Sequence, residues 1–437
     1  MDAARHVSPV EDQGARALPG GDRNVRKRRL RVLSSPTQAP EQVHQMPRAA
    51  SQLRSGVARA RDWAQTPHGR IWVDAAVIWA LTRAVFLVLT FLVPDLFGRS
   101  GGSSTSLAAA LDRWVAQDGS HFAYIAAHGY TDYWRTAFWP AYPALMHVFG
   151  PLFGGDYGLA GMAITNVAFF GALVALRRLA ERELDADAGR RAALYLAVFP
   201  TAFYFFAPYS EAVFLFLGIS SFAAMRERRW LLAGLLGCAA TLTRSAGVLL
   251  VVPFAVEFYS AWRAGAARWW RAVYVALIPA AAGLYSLYLV SQHRSPITYL
   301  YAQQYWGRSL QWPWTTYVLG LQGLLHLGGR DPIGATHLAL NFAALVVFVV
   351  LAVVSFRVLP PSFGLYTAAL LLYLSLFPAR DPVAAVQGEG RLVLMAFPIF
   401  MALGKWGRRT WVHEALLVGM LPLLAIACAH FLLHLEA

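Results

Sequence analysis

Charge is scarce in this chain. Of its 437 residues only 14% are charged, against about 25% in soluble proteins, and 57% are hydrophobic. That balance excludes a string of soluble domains. Cysteine is almost missing: Cys238 and Cys428 both lie inside apolar stretches, which argues for two small packed hydrophobes and against a disulfide framework or metal cluster. There is no P-loop, GxSxG elbow, HExxH pair or paired-cysteine metal motif. A nucleotide-sugar site of the soluble type is therefore unsupported, and no residue cluster calls for a metal or cofactor. No apolar stretch precedes Ile71, so no secretory signal is expected.

What the chain has in quantity is long apolar runs. Many approach the roughly 20 residues needed to cross a hydrocarbon layer about 30 Å thick, and counting them gives about eleven spans. The first covers Ile71–Phe97. Later ones lie near Tyr157–Leu179, Ala192–Phe206, Ala212–Met225, Trp230–Leu242, Gly247–Trp262 and Ala272–Val290, then Ala335–Phe356, Ser362–Phe377, Leu392–Leu403 and Val412–His434. Between the first two, "AFWPAYPALMHVFGPLFGG" is apolar but short and proline-broken, and reads as partly embedded. The expected fold is an all-α polytopic membrane protein over residues 71–437, preceded by a disordered basic tail over residues 1–70.

The net charge of +14 is concentrated in that tail, in "RNVRKRRLRV" and "RSGVARARDW". Such a segment suits anionic lipid at a cytoplasmic membrane surface better than nucleic acid. The loops "ALRRLAERELDADAGRR", "MRERRW", "WRAGAARWWR" and "KWGRR" alternate with loops poor in Lys and Arg. By the positive-inside rule the basic set faces the cytoplasm of a cell membrane, and the loop over residues 98–156, carrying Asp118, faces outward. "FAPYSE", "LTRSAG", "ARDPVAAVQGEGR" and "HRSPITYLYAQQYWGRSLQWPWTTYV" then share that outer side.

The chemistry-bearing residues lie in these outer stretches. Asp118 opens the helical turn "DGSHFAYIAAHGY", closed by Gly129; it is either a helix N-cap or a carboxylate held at the interface as a general base. Asp112 and Asp132 are weaker candidates in the same loop. Glu211 stands where an apolar span begins, as a helix-start charge or as a group that binds substrate or braces the base. Arg244 interrupts an apolar region in "ATLTRSAGVLLVV", where an ionisable group is costly without a partner or a role. Arg391 sits at another outer boundary. Gln303, Gln304, Trp306 and Arg308 supply what a sugar-phosphate pocket needs, or merely a solvated loop. His121 is a further candidate. Trp114, Tyr130, Tyr133, Trp134, Trp139, Tyr142, Trp306, Trp312 and Trp314 crowd the same side, as an interfacial belt with some sugar platforms would.

Taken in order, "QDGSHFAYIAAHGY", "FWPAYPALM", "FPTAFYFFAPYSEAVFLF", "TLTRSAGVLL" and "GRLVLMAFPIFMALG" resemble the PIG-V-type mannosyltransferases, the family of the second mannosyltransferase of GPI-anchor synthesis. Gln117, Ala246 and Gly390 depart from its usual Trp, Asn and Pro. The resemblance implies a GT-C multi-span bundle that takes mannose from a polyprenyl-phosphate carrier and passes it to an acceptor hydroxyl on the outer face. It places Asp118 at the family's first-loop acid, as catalytic base, and Glu211, Arg244 and Arg391 at other motif positions, with the sugar and acceptor held by Gln304 to Trp314. A transporter or lipid flippase is the competing expectation; it would place its ionisable groups near the bilayer midplane rather than at one interface.

Overall fold

The computed structural model describes residues 48–97, 106–327, 332–382, 384–386 and 388–434. The chain divides into two units, Met1–Ala58 and Arg59–Ala437. The expected disorder of the basic tail falls, up to residue 47, outside the described residues. From Arg48 the expectation of disorder is corrected: helix α1 runs Arg48–Gln65. Its alanines and arginines are good helix formers, and its moderately polar sequence leaves the described side chains mostly exposed.

The polytopic core begins with α2 (Pro67–Leu96), whose start is fixed by Thr66: its Oγ1 accepts from Gly69 N at 3.0 Å, and Pro67 fills the first helical position. Short α3 (Leu107–Asp112), α4 (Asp118–His128) and α5 (Ala141–Phe149) follow, then the long α6 (Tyr157–Glu183). Next come α7 (Ala186–Ala197), α8 (Glu211–Arg226), α9 (Trp230–Thr243), α10 (Val251–Arg263), α11 (Leu277–Ser291) and α12 (Thr298–Tyr305). The last third holds α13 (Pro313–Leu327), α14 (Pro332–Val358), α15 (Pro361–Ser375), the four-residue α16 (Glu389–Leu392), α17 (Phe397–Trp406) and α18 (Thr410–Leu432). Among the described residues there is no strand, only an isolated bridge between Arg308 and Ala379.

Among the described residues, six segments are long and apolar enough to cross a membrane: Pro67–Leu96, Tyr157–Glu183, Ser245–Arg263, Trp269–Ser291, Gly334–Val358 and Thr410–Leu432. Trp230–Thr243 and Pro361–Ser375 are shorter apolar helices. This is a helical membrane protein, with fewer full-length spans among the described residues than the apolar runs suggested. Two runs read as spans are in fact broken. Residues 192–206 leave the α-helix after Ala197, because Pro200 offers no N–H and disfavours helix at Phe199; a 3-10 turn at Ala202–Phe205 follows. Residues 392–403 are cut by Pro398 into α16, a 3-10 turn and α17.

The break after α7 carries the site, and the core is built to tolerate it. Irregular backbone at membrane depth must find its hydrogen bonds within the protein. Arg83, buried midway along α2, donates through Nη2 to Phe205 O at 2.6 Å and through Nε to Asn166 Oδ1 at 2.9 Å. Asn166 Nδ2 in turn donates to Phe206 O at 3.1 Å, and Thr165 Oγ1 to Tyr209 O at 2.9 Å. Polar side chains of α2 and α6 thus stand in for the missing helical partners. Tyr209 OH then donates to Ala116 O at 3.1 Å, tying this segment to the loop before α4.

Candidate active site

Four of the sequence candidates come from distant parts of the chain and converge on one ionic cluster. Arg391 Nη2 lies 2.7 Å from Asp118 Oδ2, and its Nε lies 3.0 Å from Glu211 Oε1. Arg244 Nη1 reaches the same Glu211 oxygen at 2.8 Å and donates to Ser210 Oγ at 2.9 Å. The order in space is Asp118, Arg391, Glu211, Arg244. Neither guanidinium is aligned for a good hydrogen bond to Glu211, so those contacts are chiefly Coulombic, and Glu211 Oε2 has no hydrogen-bond partner among the described residues. Two cations share the fully buried Glu211 while Asp118 takes the other side of Arg391, so the four groups balance in charge, and Arg308 on the same cavity wall adds a further cation.

Each member is set by its backbone. Asp118 is the first residue of α4 and not its cap; the cap position belongs to Gln117, at φ +49, and makes no side-chain capping bond. The capping reading of Asp118 therefore fails, since its carboxylate is turned to Arg391 instead of the helix N–H groups. A positive φ at a non-glycine residue costs about 1–3 kcal/mol and marks a position held by its surroundings. Gly129 closes the helix at φ +72. Glu211 opens α8 and Arg244 ends α9, the latter in extended backbone where the helix stops. Arg391 sits on α16, whose preceding Gly388 takes a left-handed φ of +80. Gly390 is pinned from both sides: its N–H donates to Asn341 Oδ1 at 2.8 Å and its carbonyl accepts from Thr201 Oγ1 at 2.6 Å. A Cβ there would come 2.8 Å from Asn341 Oδ1, so this arrangement needs glycine.

Burial would raise the Asp118 carboxyl, but the Arg391 charge and hydrogen bond, helped by Arg244 and His121, hold it below the usual carboxylate range. The same two acids, with Tyr209 and Tyr204, keep Arg391 firmly charged against its burial. Its guanidinium lies 5.3 Å from the Tyr204 ring centre and 5.1 Å from that of Tyr209.

The cluster lines a cavity of about 1200 Å³. That exceeds the usual 300–1,000 Å³ of small-ligand pockets. Asp118, Arg244 and Arg391 form part of its polar wall, and Val347, Phe348, Leu423 and Ala427, from α14 and α18, extend it as an apolar arm. Val347 and Leu423 are both exposed where they line it.

The remaining candidates divide. His121, Trp306 and Arg308 line the cavity. The His121 ring sits 5.3 Å from Trp134, 5.3 Å from Phe138 and 5.6 Å from Trp306, and burial lowers its proton affinity, with Asp118 opposing. Gln304 does not face the cavity. It is exposed on α12 while the preceding Gln303 lines the wall, because adjacent helical residues point about 100° apart. Asp132 pairs with Arg135, three residues on. The aromatic belt also needs correcting: Trp114, Trp139 and Tyr142 are buried, and Trp114 Nε1 donates to Thr90 Oγ1 at 2.9 Å. Trp312 and Trp314 are exposed and stacked 5.0 Å apart, as belt residues would be.

Sequence reasoning missed Tyr204, Tyr209, Ser210, Asn341 and Glu389. Glu389 is buried beside Arg391 on α16; burial pushes its carboxyl up to about 7, with Arg308 and Arg391 opposing, and its Oε2 has no partner among the described residues. No group of His, Cys, Asp and Glu suited to a metal ion occurs among the described residues.

The class defined by these features is a polytopic helical membrane protein with a carboxylate–guanidinium site in the wall of a large, partly apolar cavity. The chain matches no protein-family profile. It is 33% identical over 153 residues to GPI alpha-1,6-mannosyltransferase 2 of Mus musculus, covering 33% of this chain and 30% of the mouse protein. The chain thus spans under a third of that relative's length. This is weak homology to the family that the motifs resemble. Among solved structures, ArnT from Cupriavidus metallidurans bound to undecaprenyl phosphate superposes with a TM-score of 0.45 at 16% identity, over 81% of this chain and 75% of that one. The archaeal oligosaccharyltransferase AglB from Archaeoglobus fulgidus, in complex with an inhibitory peptide and a dolichol-phosphate, gives 0.41 at 13% identity, over 84% and 56%.

Proposed function

We propose that this protein is a membrane-embedded glycosyltransferase that moves a sugar, mannose in the first instance, from a polyprenyl-phosphate carrier to an acceptor hydroxyl. The observation that carries the reading is the Asp118–Arg391–Glu211–Arg244 cluster at a large cavity whose lining is otherwise mainly apolar. The weak homology to a mannosyltransferase supports the sugar. An isoprenoid chain suits the apolar wall, and its phosphate suits the three guanidinium groups of Arg244, Arg308 and Arg391 that line the cavity. A donor that arrives through the bilayer needs a groove between spans in place of a phosphate-cradling loop.

The reaction follows from charge. The acceptor oxygen attacks the anomeric carbon from the face opposite the phosphate, the new C–O bond forms with inversion, and the old electron pair leaves on the lipid phosphate. Arg391 and Arg244 neutralise the charge that grows there, where low polarity around the site strengthens the attraction. Asp118 takes the acceptor's proton. While paired to Arg391 it is a weak base; as Arg391 turns to the phosphate, its proton affinity rises at the moment a base is needed. Glu211 keeps the two guanidinium groups together. His121, Trp306, Gln303 and Arg308 hold the sugar and acceptor.

The distribution of Lys and Arg among the loops supports a cell-membrane orientation with the N-terminus in the cytoplasm and the site on the outer face. A transporter would put its charges at mid-span. Arg83 is such a charge, but it is committed to Phe205 O and Asn166 and does not line the cavity.

The test is reconstitution into liposomes with radiolabelled polyprenyl-phosphate-mannose. Wild type should release the sugar from its carrier, and Asp118→Asn should lose about 10²–10⁴ of that rate, the usual share of a general base, while expressing and binding donor as wild type does. Full turnover in that variant would remove Asp118 as the base, and no release by wild type would remove the reaction.

A further inference from the structure

The hairpin of α8 and α9 has two ends, and only one belongs to the active site. Glu211 and Arg244 stand at one; sixteen residues of α8 at about 1.5 Å each place the α8–α9 turn about 24 Å away. There the turn meets the 3-10 segment Trp269–Ala276 and forms a second cavity, of about 360 Å³. Its walls are Arg228, Arg229, Trp230, Trp270, Arg271 and Tyr274, with Leu231 and Leu232. Gly234 makes it possible: the 3-10 segment approaches so closely that a Cβ there would lie 2.4 Å from Tyr274 O.

Two observations point the same way. The neighbouring acids are already engaged: Arg226 holds Glu183 and Glu257, and Glu227 is shared among Arg178, Arg182 and Arg229. Arg228 and Arg271, by contrast, meet no carboxylate among the described residues, although Arg271 stacks on Trp270 at 5.5 Å. The first turn of α9, Trp230 to Leu232, lines the cavity, and no side chain caps it, so its free N–H groups and dipole favour an anion. Arg228 takes φ +59 where it closes the C-terminal end of α8, its N–H donating to Met225 O at 2.9 Å.

We infer that this notch is a phosphate-binding site, distinct from the active site and on the opposite end of the bundle, that takes the phosphate ester of an anionic lipid headgroup or a free phosphate. Two arginines that meet no acid among the described residues and one helix start supply donors, and Trp270 and Tyr274 supply an apolar rim at the exposed edge. The inference does not depend on the proposed reaction.

The full-length protein, purified in detergent, is examined by native mass spectrometry with added phosphatidylglycerol, with phosphatidylcholine, and with inorganic phosphate as competitor. Wild type should carry phosphatidylglycerol adducts that the double variant Arg228→Gly/Arg271→Gln loses by at least about tenfold, the loss expected when charge-assisted bonds to phosphate are removed. Glycine at position 228 relieves the positive φ, so misfolding does not explain the loss. Arg263→Gln, an exposed arginine outside the notch, should keep its adducts. Displacement by millimolar inorganic phosphate assigns the notch to free phosphate, and resistance to it assigns a lipid headgroup. Equal phosphatidylglycerol adducts in wild type and the double variant, or equal adducts with phosphatidylcholine, overturn the site.

Discussion

At the scale of single residues, the protein sets two acids with opposite shifts in proton affinity around one arginine, Arg391. Asp118 is held below the ordinary carboxylate range by Arg391, and Glu389 is raised to about 7 by burial. The folded protein therefore binds the Glu389 proton between the ordinary 4.5 and about 7, where the unfolded chain has lost it. Its contribution to stability is full below that window and is gone above it. Asp118 acts in the opposite sense: its ion pair stabilises from neutral pH down and is lost only as pH falls through its depressed value. Function should feel Glu389 first. Above about 7 its charge competes with an incoming phosphate for Arg391 and Arg308. The donor KM should rise as pH passes 7, and Glu389→Gln should flatten that limb while leaving the acid side unchanged. A limb that persists in the variant assigns it to another group.

At the scale of elements, the decisive piece is the irregular stretch between α7 and α8, which carries Tyr204, Tyr209 and Ser210 to Arg391 and Arg244. Its apolar sequence reads as one more span, and the prolines at 200 and 208 are the only local sign that it is not. What holds it is not local at all. Arg83 lies in the middle of α2, inside a run whose hydropathy hides it, and its acceptors come from α6 and the break. Asp118, Glu211, Arg244 and Arg391 were legible one at a time because each interrupts or borders apolar sequence. Their pairing was not, because nothing within a single stretch says which acid meets which arginine. Gln304 shows a smaller limit: one residue of helical phase decides between wall and solvent, and a short segment without clear periodicity does not fix the phase. Arg83→Met should leave Phe205 O and Asn166 unsatisfied, costing about 1–3 kcal/mol per group. The expected result is a lower melting temperature in detergent and a loss of transfer, since Glu211 follows directly from the same stretch. An unchanged melting temperature would mean that water replaces the guanidinium.

At the scale of the whole molecule, the two ends of the bundle differ in what their charges do. One end gathers Asp118, Glu211, Arg244 and Arg391 around a cavity; the other carries Arg226, Glu183 and Glu257 in a paired network, beside Arg228 and Arg271, which meet no acid among the described residues. Charge asymmetry of this kind sets membrane orientation, because short basic loops are retained in the cytoplasm. If the basic end is inside, the active site opens to the exterior, where a carrier-borne sugar is used without nucleotide. The two native cysteines are removable: Cys428 is buried and Cys238 partly so, and each occupies a small apolar position. In a background with both replaced by alanine, Thr131→Cys marks the active-site end and Arg263→Cys the basic end, both exposed. A membrane-impermeant maleimide added to intact cells should label position 131 and spare position 263 until the cells are opened. The reverse pattern would turn the protein over, place the cluster in the cytoplasm, and leave the transfer chemistry to find a donor on the inner leaflet.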